Sequence, residues 1–243
     1  MNIFKKTIKN ALKKKGLEIK NYDSYFEDLE KVRYKWLDQY LFNTIIDIGA
    51  SNGGFAQKAR NWFPKAQIYS FEPIKASFEA LQTKFRNDTN FKALNYACSN
   101  NKGQSSFYLS SNSGSSSLLD MNIKHKEAYP KSSEIKEIKV DIDLLDNLLI
   151  SEKLSSGILL KLDVQGGELL ALEGAYNILQ KTKLIFIEIS FCQLYNDQPL
   201  VNEVIDYLFK RQFKLIGVEN VSNSLIDGSF LQADLFFERI KNE

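Results

Sequence analysis

The sequence is poor in the residues on which several classes of protein depend. Its two cysteines, Cys98 and Cys192, have neither zinc-ligand nor redox spacing and do not indicate a disulfide framework. A net charge of only +2 gives no general argument for binding to nucleic acid. No apolar run approaches the ~20 residues needed to cross a bilayer. What remains is a globular chain of 243 residues, long enough for one α/β domain with an added terminal element.

Residues 1–40 form a basic segment that we expect to be an N-terminal helical extension, before a single domain over residues 41–243. Phe4, Ile8 and Leu12 recur at four-residue spacing among six lysines. This pattern predicts a helix with either a solvated basic face or a weak contact with an anionic membrane surface or an acidic partner. The segment never develops the apolar core that a secretory signal requires, so we expect a cytoplasmic protein.

From Asn43 onward, apolar strands alternate with amphipathic helices, which is typical of a doubly wound, mostly parallel α/β sheet. Strands are predicted over residues 44–48, 67–71, 91–97, 157–163 and 184–188, with a closing pair over 213–218 and 231–238. A helix is predicted from the spacing of Val201, Val204, Ile205 and Leu208. Residues 100–145 are an insertion with a serine run. The composition of the serine run favours a flexible linker, whereas the position of the insertion above the strand ends favours a substrate lid.

The most informative stretch is the turn after the first predicted strand. A β-branched run ends in Asp47, a turn with Gly49 and Gly53 follows, and the next strand ends in a second acid, Glu72. In open α/β sheets such a unit places a nucleoside-bearing ligand across the strand tips, with the acid on the ribose hydroxyls. Ser51 stands where a dinucleotide motif has its second glycine, so the spacing favours a cofactor without phosphates, such as S-adenosylmethionine. A tight turn that only packs a helix on a strand remains the alternative.

Five motifs together resemble, in the same order, those of FkbM-type methyltransferases, over about residues 40–240. They are the segments 47–55, 71–73, 115–118, 161–175 and 187–191. The resemblance implies a Rossmann-like class I methyltransferase fold with an antiparallel closing strand. It also implies that S-adenosylmethionine is the cofactor and that a hydroxyl of a sugar, a glycan or a secondary metabolite receives the methyl group. One small departure is Ser51-Asn52-Gly53, where the family more often has Ala-Asn followed by a glycine two positions on; the glycine itself is kept.

The resemblance further implies a set of cofactor-binding and substrate-binding residues. Asp47 and Gly49 would line the methionine end of the cofactor, and Glu72 would accept hydrogen bonds from both ribose hydroxyls. The whole predicted cofactor site is Asp47, Gly49, Ala50, Ser51, Asn52, Gly53, Phe55, Glu72, Pro73, Cys98, Ser99 and Asp163. The predicted substrate contacts are Ser115, Ser116, Ser117, Gln165 and Glu168. Each strand-end acid has an alternative role as the N-cap of the following helix.

Methyl transfer to a hydroxyl needs a base, and the sequence offers three candidates: His125, Asp163 and Glu188. His125 is the only histidine, and an unperturbed pKa near ~6.5 suits proton transfer at neutral pH. Lys124 and Lys126 beside it would favour the neutral ring. The alternative is an exposed helix residue without a catalytic role. No metal site is predicted, because carboxylates on two strand tips are a weak metal signature.

Two other functions stay open at this point. A nicotinamide-dependent oxidoreductase would use a similar sheet, although the G-x-G-x-x-G motif is missing. A non-catalytic nucleoside-binding scaffold would keep the fold, although the acids at 47, 72 and 163 are intact. The expected partner is a small-molecule or glycan acceptor rather than a nucleic acid.

Overall fold

Two fully buried strands, β1 (Thr44–Ile48) and β7 (Ile158–Leu162), lie side by side at the centre of the fold. The computed structural model describes residues 12–16, 29–30 and 32–240. All ten residues of the two strands are buried, because isoleucine and leucine side chains pack on both faces of the sheet. Asp47 on β1 and Lys161 on β7 are register partners, so two charged residues share this interior.

The main sheet has seven strands within the described part of the chain, in the order β3-β2-β1-β7-β8-β10-β9. The outer strands are β2 (Gln67–Phe71), β3 (Phe91–Leu94), β8 (Thr182–Ser190), β9 (Phe213–Asn223) and β10 (Phe230–Arg239). Strand β10 runs antiparallel to both of its neighbours, and the other pairs are parallel. The predicted fold class, a mostly parallel doubly wound sheet with an antiparallel closing strand, is confirmed.

Helices connect the strands and bury one face each. Their bounds are α1 (Gly54–Trp62), α2 (Lys75–Lys84), α3 (Ile123–Ala128), α4 (Leu145–Leu148), α5 (Glu168–Glu173), α6 (Tyr176–Lys181) and α7 (Val201–Lys210). In α7, Val204 and Leu208 are buried one turn apart, as the spacing predicts. Glu203 Oε2 accepts the Leu200 N–H at 2.9 Å and so satisfies a free donor at the helix start.

The insertion folds as a second sheet and corrects one prediction. Its strands are β4 (Ala97–Cys98), β5 (Gly103–Ser110) and β6 (Ile135–Asp143), in the order β4-β6-β5. The strand predicted over 91–97 is therefore two strands in different sheets. Asn95 lies at the break, where its Nδ2 donates to the carbonyls of Glu72 and Pro73 at 2.8 and 2.9 Å. The alternative of a flexible linker for the serine run is disfavoured, since Ser115, Ser116 and Ser117 are buried. Elsewhere in the insertion, Val140 of β6 is buried in a cluster with Phe107 of β5.

The chain divides into two compact units, Met1–Leu41 and Phe42–Glu243. In the first unit, residues Lys35–Gln39 form a 3-10 helix, and the rings of Trp36 and Tyr40 pack edge to face at 6.0 Å. Phe4, Ile8 and the lysines before residue 12 lie outside the described residues, so the helical extension stays a prediction. Among the described residues, no helix is long and apolar enough to cross a membrane.

Candidate active site

The turn after β1 brings three strand ends together. Gly49 has a φ of +78°, and a Cβ at this position would lie 1.8 Å from the Asp163 carbonyl oxygen, so a larger residue does not fit. The N–H groups of Gly49 and Ala50 donate to the Phe71 carbonyl at 3.1 and 3.0 Å. The tip of β1 is therefore fixed against the tips of β2 and β7.

Glu72 follows β2 directly and is 4% exposed. Its Oε2 accepts the Ser51 N–H at 2.7 Å and its Oε1 accepts the Ile74 N–H at 2.9 Å. Burial raises the pKa of Glu72, although these two backbone hydrogen bonds oppose the rise. Because each carboxylate oxygen has two lone pairs, both oxygens can still accept a hydrogen bond from a ligand hydroxyl.

A pocket lies over the carboxyl ends of β1, β2, β4 and β7. The predicted site residues that line it are Gly49, Ser51, Glu72, Pro73, Cys98, Ser116, Asp163 and Gln165. Much of the remaining wall is apolar and was not predicted: Ile48, Phe71, Ile74, Tyr96, Ala97, Phe107, Leu118 and Val164. A mostly apolar wall with a few polar groups is the usual composition of a small-molecule site. Several wall residues lie in or beside the second sheet, whose course the sequence pattern did not reveal.

Several predicted cofactor residues lie beside the pocket instead of lining it. Ala50, Asn52 and Gly53 belong to the turn, where the carbonyls of Asn52 and Gly53 each accept a hydrogen bond from Lys84 Nζ at 3.1 Å. Phe55 lies on α1, and its ring packs against other aromatic rings and beneath Lys161 Nζ at 5.8 Å. These residues shape the turn and its helix.

Cys98 and Ser99, at the end of β4, have different roles. Cys98 lines the pocket, and burial raises the pKa of its thiol, so the side chain acts as a small apolar wall residue. Ser99 does not line the pocket. Its N–H donates to the Asp143 carbonyl at 3.0 Å, and its carbonyl lies where a Cβ on Gly174 would be only 2.1 Å away.

Lys161 is a site residue that sequence reasoning missed. Its Nζ lies 3.1 Å from Asp47 Oδ1, 2.9 Å from the Gly49 carbonyl and 3.8 Å from Asp163 Oδ2. Burial alone would lower the pKa of Lys161, but the charges of Asp47 and Asp163 outweigh it and raise that pKa. Asp47 is 0% exposed and does not line the pocket, which corrects its predicted position at the cofactor. The available signal was a lysine inside an otherwise apolar strand.

Asp163 and Glu188, at the tips of β7 and β8, are joined by one amide group. Gln165 Nε2 donates to Asp163 Oδ1 at 2.8 Å and to Glu188 Oε2 at 2.7 Å. Burial raises the pKa of Glu188 well above its usual range, and the charges of Asp163, Glu168 and Asp234 add to the rise. A carboxylate whose pKa is raised in this way has a greater affinity for a proton than an exposed glutamate has.

Glu168 contacts the backbone of its own loop. Its Oε1 accepts the N–H groups of Val164 and Gly166, both at 3.1 Å, and the residue is 5% exposed. Burial raises the pKa of Glu168 to about 7. These contacts support the alternative that Glu168 organises the start of α5, and it does not line the pocket.

His125 is 2% exposed, so the alternative of a surface histidine is wrong. It does not line the pocket either. Its Nε2 lies 3.2 Å from the hydroxyl of Tyr195, and its Nδ1 lies 3.5 Å from Ser132 Oγ. Burial lowers the pKa of His125 to about 4, so the ring is neutral at pH 7 because of burial rather than because of the neighbouring lysines.

The three predicted serines are buried and differ in their contacts. Ser116 lines the pocket and its Oγ accepts the Ser110 N–H at 3.0 Å. Ser117 Oγ donates to the Gln165 carbonyl at 2.6 Å. The Ser115 carbonyl accepts a hydrogen bond from the Tyr195 hydroxyl at 3.0 Å. Ser117 therefore joins the insertion to the loop that holds Gln165, and Ser115 joins it to Tyr195.

Within the described ranges, no group of His, Cys, Asp and Glu side chains has the geometry of a metal site. The site is thus a pocket lined by Glu72 at the tip of β2 and by Asp163 at the tip of β7, and Gln165 joins Asp163 to Glu188 of β8. With the strand order of the main sheet, this arrangement is a Rossmann-like fold with a ligand pocket over the carboxyl ends of its parallel strands.

Comparison with known proteins identifies the family. Residues 47–215 match the Methyltransferase FkbM domain, and the chain belongs to this methyltransferase family. A curated relative, the 2-O-methyltransferase NoeI of Sinorhizobium fredii, is 26% identical over 170 residues, which are 68% of this chain and 70% of the relative. Membership of the family implies the use of S-adenosylmethionine.

Solved structures with a similar fold include two other methyltransferases. An rRNA methylase from Streptococcus thermophilus is 12% identical, with 86% of this chain and 95% of that chain covered and a TM-score of 0.48. Magnesium protoporphyrin IX methyltransferase from Synechocystis, with bound S-adenosylmethionine, is 8% identical, with 88% and 77% covered and a TM-score of 0.47.

Proposed function

We propose that the protein is an S-adenosylmethionine-dependent O-methyltransferase that acts on a hydroxyl of a sugar or glycan acceptor. The observation that carries this proposal is the placement of acids at the strand ends around the pocket, of which Glu72 and Asp163 line it. Glu72 lies at the tip of β2, whereas Asp163 and Glu188 lie at the tips of β7 and β8, on the other side of β1. The end of the pocket at β2 therefore suits a ribose diol. The end at β7 suits a cationic group and a proton transfer.

The residues of the pocket fit the cofactor chemically. Glu72 can accept hydrogen bonds from two ribose hydroxyls, and the apolar wall around Phe107 and Leu118 suits a purine ring. Asp47 is already paired with Lys161, so we assign the attraction of the cofactor's ammonium group to Asp163, whose side chain is 41% exposed. This assignment replaces the one made from the sequence.

When bound, S-adenosylmethionine supplies an electrophilic methyl group on a positively charged sulfur. An acceptor hydroxyl has to lose its proton as it is methylated, and the base must have some affinity for that proton at neutral pH. Glu188 meets this condition because burial and three like charges raise its pKa. His125 does not, since its Nε2 faces Tyr195 and its pKa is lowered to about 4. We therefore assign the base to Glu188, which does not itself line the pocket but is joined through Gln165 to Asp163, which does.

The acceptor class is supported by the relative and by the chemistry of the base. NoeI is a 2-O-methyltransferase, which makes a hydroxyl the first acceptor to test. A carboxylate with a raised pKa suits a hydroxyl, since the hydroxyl needs a proton acceptor at the moment of reaction. The insertion that carries Ser116 is the part of the fold where such an acceptor would be recognised.

The nicotinamide alternative is disfavoured by the turn itself. A pyrophosphate needs free N–H groups at the start of α1, but the Ser51 N–H is occupied by Glu72 Oε2. A non-catalytic scaffold would not require the Asp163–Gln165–Glu188 arrangement, which is what the following experiment tests.

The test is to incubate the protein with S-adenosylmethionine and a panel of monosaccharides and oligosaccharides, and to search for methylated products by mass spectrometry. We expect a methyl ether, which resists mild alkaline hydrolysis, and loss of product in the Glu188→Gln variant by about 10²–10⁴-fold. A methyl ester, an N-methyl product, or no product with any hydroxyl acceptor would contradict the proposal.

A further inference from the structure

The amide of Gln165 has only one orientation that satisfies its neighbours. Asp163 and Glu188 are hydrogen-bond acceptors, so the NH₂ group must face them, with one hydrogen for each carboxylate. The amide oxygen then faces the hydroxyl of Tyr195 at 3.0 Å and shares its single hydrogen with the Ser115 carbonyl, which also lies 3.0 Å away. The direction of these hydrogen bonds follows from the chemistry of the groups.

The same reasoning indicates which ring nitrogen of His125 carries the hydrogen. Tyr195 has a single hydroxyl hydrogen, and two of its neighbours, Gln165 Oε1 and the Ser115 carbonyl, can only accept. The remaining neighbour, His125 Nε2, must therefore donate to the Tyr195 oxygen. We place the hydrogen of the neutral ring on Nε2, because the competing contact of Nδ1 with Ser132 Oγ is longer, at 3.5 Å against 3.2 Å. Hydrogen-bond donors then run from His125 through Tyr195 and Gln165 to the carboxylates.

We propose that His125 and Tyr195 are positioning residues, which hold Gln165 so that its amide keeps Glu188 ionised beside Asp163. The inference rests on the proposed function, because it concerns the same carboxylates. Neither residue lines the pocket, so both act through Gln165. Gln165 itself is held at a φ of +57°, with its carbonyl accepting from Ser117 Oγ at 2.6 Å. Such a conformation needs support from its surroundings.

The charges around Glu188 explain why this support matters. Asp163 at the tip of β7, Glu168 on α5 and Asp234 on β10 all disfavour a negative Glu188. Lys161 on β7 favours it, as does the side chain of Gln232 on β10. The Gln165 amide adds a hydrogen bond to the charged form, which a loosened amide would lose. The Tyr195 hydroxyl faces the other end of this amide.

A binding experiment tests the positioning role without an acceptor. S-adenosylmethionine carries a positive sulfur and S-adenosylhomocysteine does not, so the ratio of their affinities reports the negative charge at the carboxylate pair. In the wild type we expect this ratio to rise with pH as Glu188 ionises. In Tyr195→Phe the midpoint of the rise should move up by about one pH unit, a tenfold change in proton affinity. The affinity for S-adenosylhomocysteine should stay within about twofold.

Matched variants separate positioning from packing. Tyr129→Phe removes a hydroxyl from a ring that also packs on His125, at 5.0 Å, but this hydroxyl faces Ser222. It should leave the midpoint unchanged. His125→Gln keeps an N–H donor near the Nε2 position and should stay close to the wild type, whereas His125→Leu should shift the midpoint as Tyr195→Phe does. This pair keeps the test decisive if one variant fails to fold.

The single histidine also allows a direct measurement. Nitrogen NMR of the ¹⁵N-histidine-labelled protein should show a neutral Nε2–H ring at pH 7. An Nδ1–H ring, or an unchanged midpoint in both Tyr195→Phe and His125→Leu, would overturn the positioning role while leaving the proposed function intact. If the wild type bound neither cofactor form, the proposed function itself would fail.

Discussion

Glu72 joins the turn after β1 to the tip of β2 and faces the pocket at the same time. We expect Glu72→Ala to weaken the binding of S-adenosylhomocysteine by about 10–100-fold, because two ribose hydroxyls lose a charged acceptor. Glu72→Gln keeps one oxygen as an acceptor, so its affinity for S-adenosylhomocysteine should lie between those of the wild type and Glu72→Ala. Calorimetric titration of the three proteins measures this. Binding as tight as the wild type in the alanine variant would remove Glu72 from the cofactor site.

His125 makes stability depend on pH in a defined direction. Its pKa is lowered to about 4 in the folded protein, against ~6.5 in the unfolded chain, so the unfolded state binds the extra proton between these values. The stability that this neutral ring provides is complete above pH ~6.5 and is lost as the pH falls towards 4. Measured as a difference between the wild type and His125→Gln, the loss should be roughly 2–3 kcal/mol.

Chemical unfolding of the wild type and His125→Gln at several pH values gives this difference in unfolding free energy. The contributions of the other titrating groups are the same in both proteins and cancel. Glu168 and Asp234, whose pKa values are raised to about 7 and about 6, would otherwise obscure it, because they act in the opposite direction. A difference that stays constant from pH 7 to pH 4 would mean that His125 titrates normally.

At the level of single residues, the sequence predicted the acids better than their partners. Glu72 and Asp163 stand at strand ends next to glycine turns, and a local pattern is enough to find them. Tyr195 and Lys161 were missed because their roles depend on contacts between distant segments. Tyr195 meets His125 and Gln165 from 70 and 30 residues away, and no spacing rule indicates such a contact.

At the level of elements, the residues that follow β1 and β7 approach each other closely at Gly49. A side chain there would meet both a left-handed φ of +78° and the Asp163 carbonyl at 1.8 Å. Gly228 offers a matched control, since its φ is +73° and a Cβ there would have nothing within 4 Å. We expect Gly228→Ala to cost about 1–2 kcal/mol of unfolding free energy, from backbone strain alone. Gly49→Ala should cost at least about 2 kcal/mol more, because the turn itself must move.

Thermal and chemical unfolding of the two variants provides the comparison. Equal losses of stability in Gly49→Ala and Gly228→Ala would show that β1 and β7 do not approach each other as closely as the structure has them. The two glycines have almost the same φ but different neighbours. The difference in unfolding free energy between the two variants therefore reports the close contact between Gly49 and the Asp163 carbonyl.

The strands of the main sheet were predictable because each is a short apolar run between turn signals. Strand β6 was not identified, although Ile135, Ile138, Val140 and Ile142 alternate with charged residues in it. Its alternation was hidden in a segment that the serine run marked as irregular. The break between β3 and β4 was missed for another reason: Asn95 bends the chain through hydrogen bonds to residues more than 20 positions away.

At the level of the whole molecule, the mostly parallel sheet follows from the alternation of strands and helices, but the pocket does not. Its walls come from the strand ends of the main sheet and from the second sheet, which meet only in the folded chain. The sequence located the floor of the pocket through its glycines and acids. The apolar walls, which decide the shape of the bound molecule, needed the structure.

The most direct test of the central claim is parallel calorimetry of the full-length protein with S-adenosylhomocysteine and with NAD⁺. We predict saturable binding of S-adenosylhomocysteine that is weakened in Glu72→Ala, and no saturable heat with NAD⁺, because the Ser51 N–H is already used by Glu72. Saturable binding of NAD⁺ without binding of S-adenosylhomocysteine would contradict the assignment of the pocket to a methyl donor.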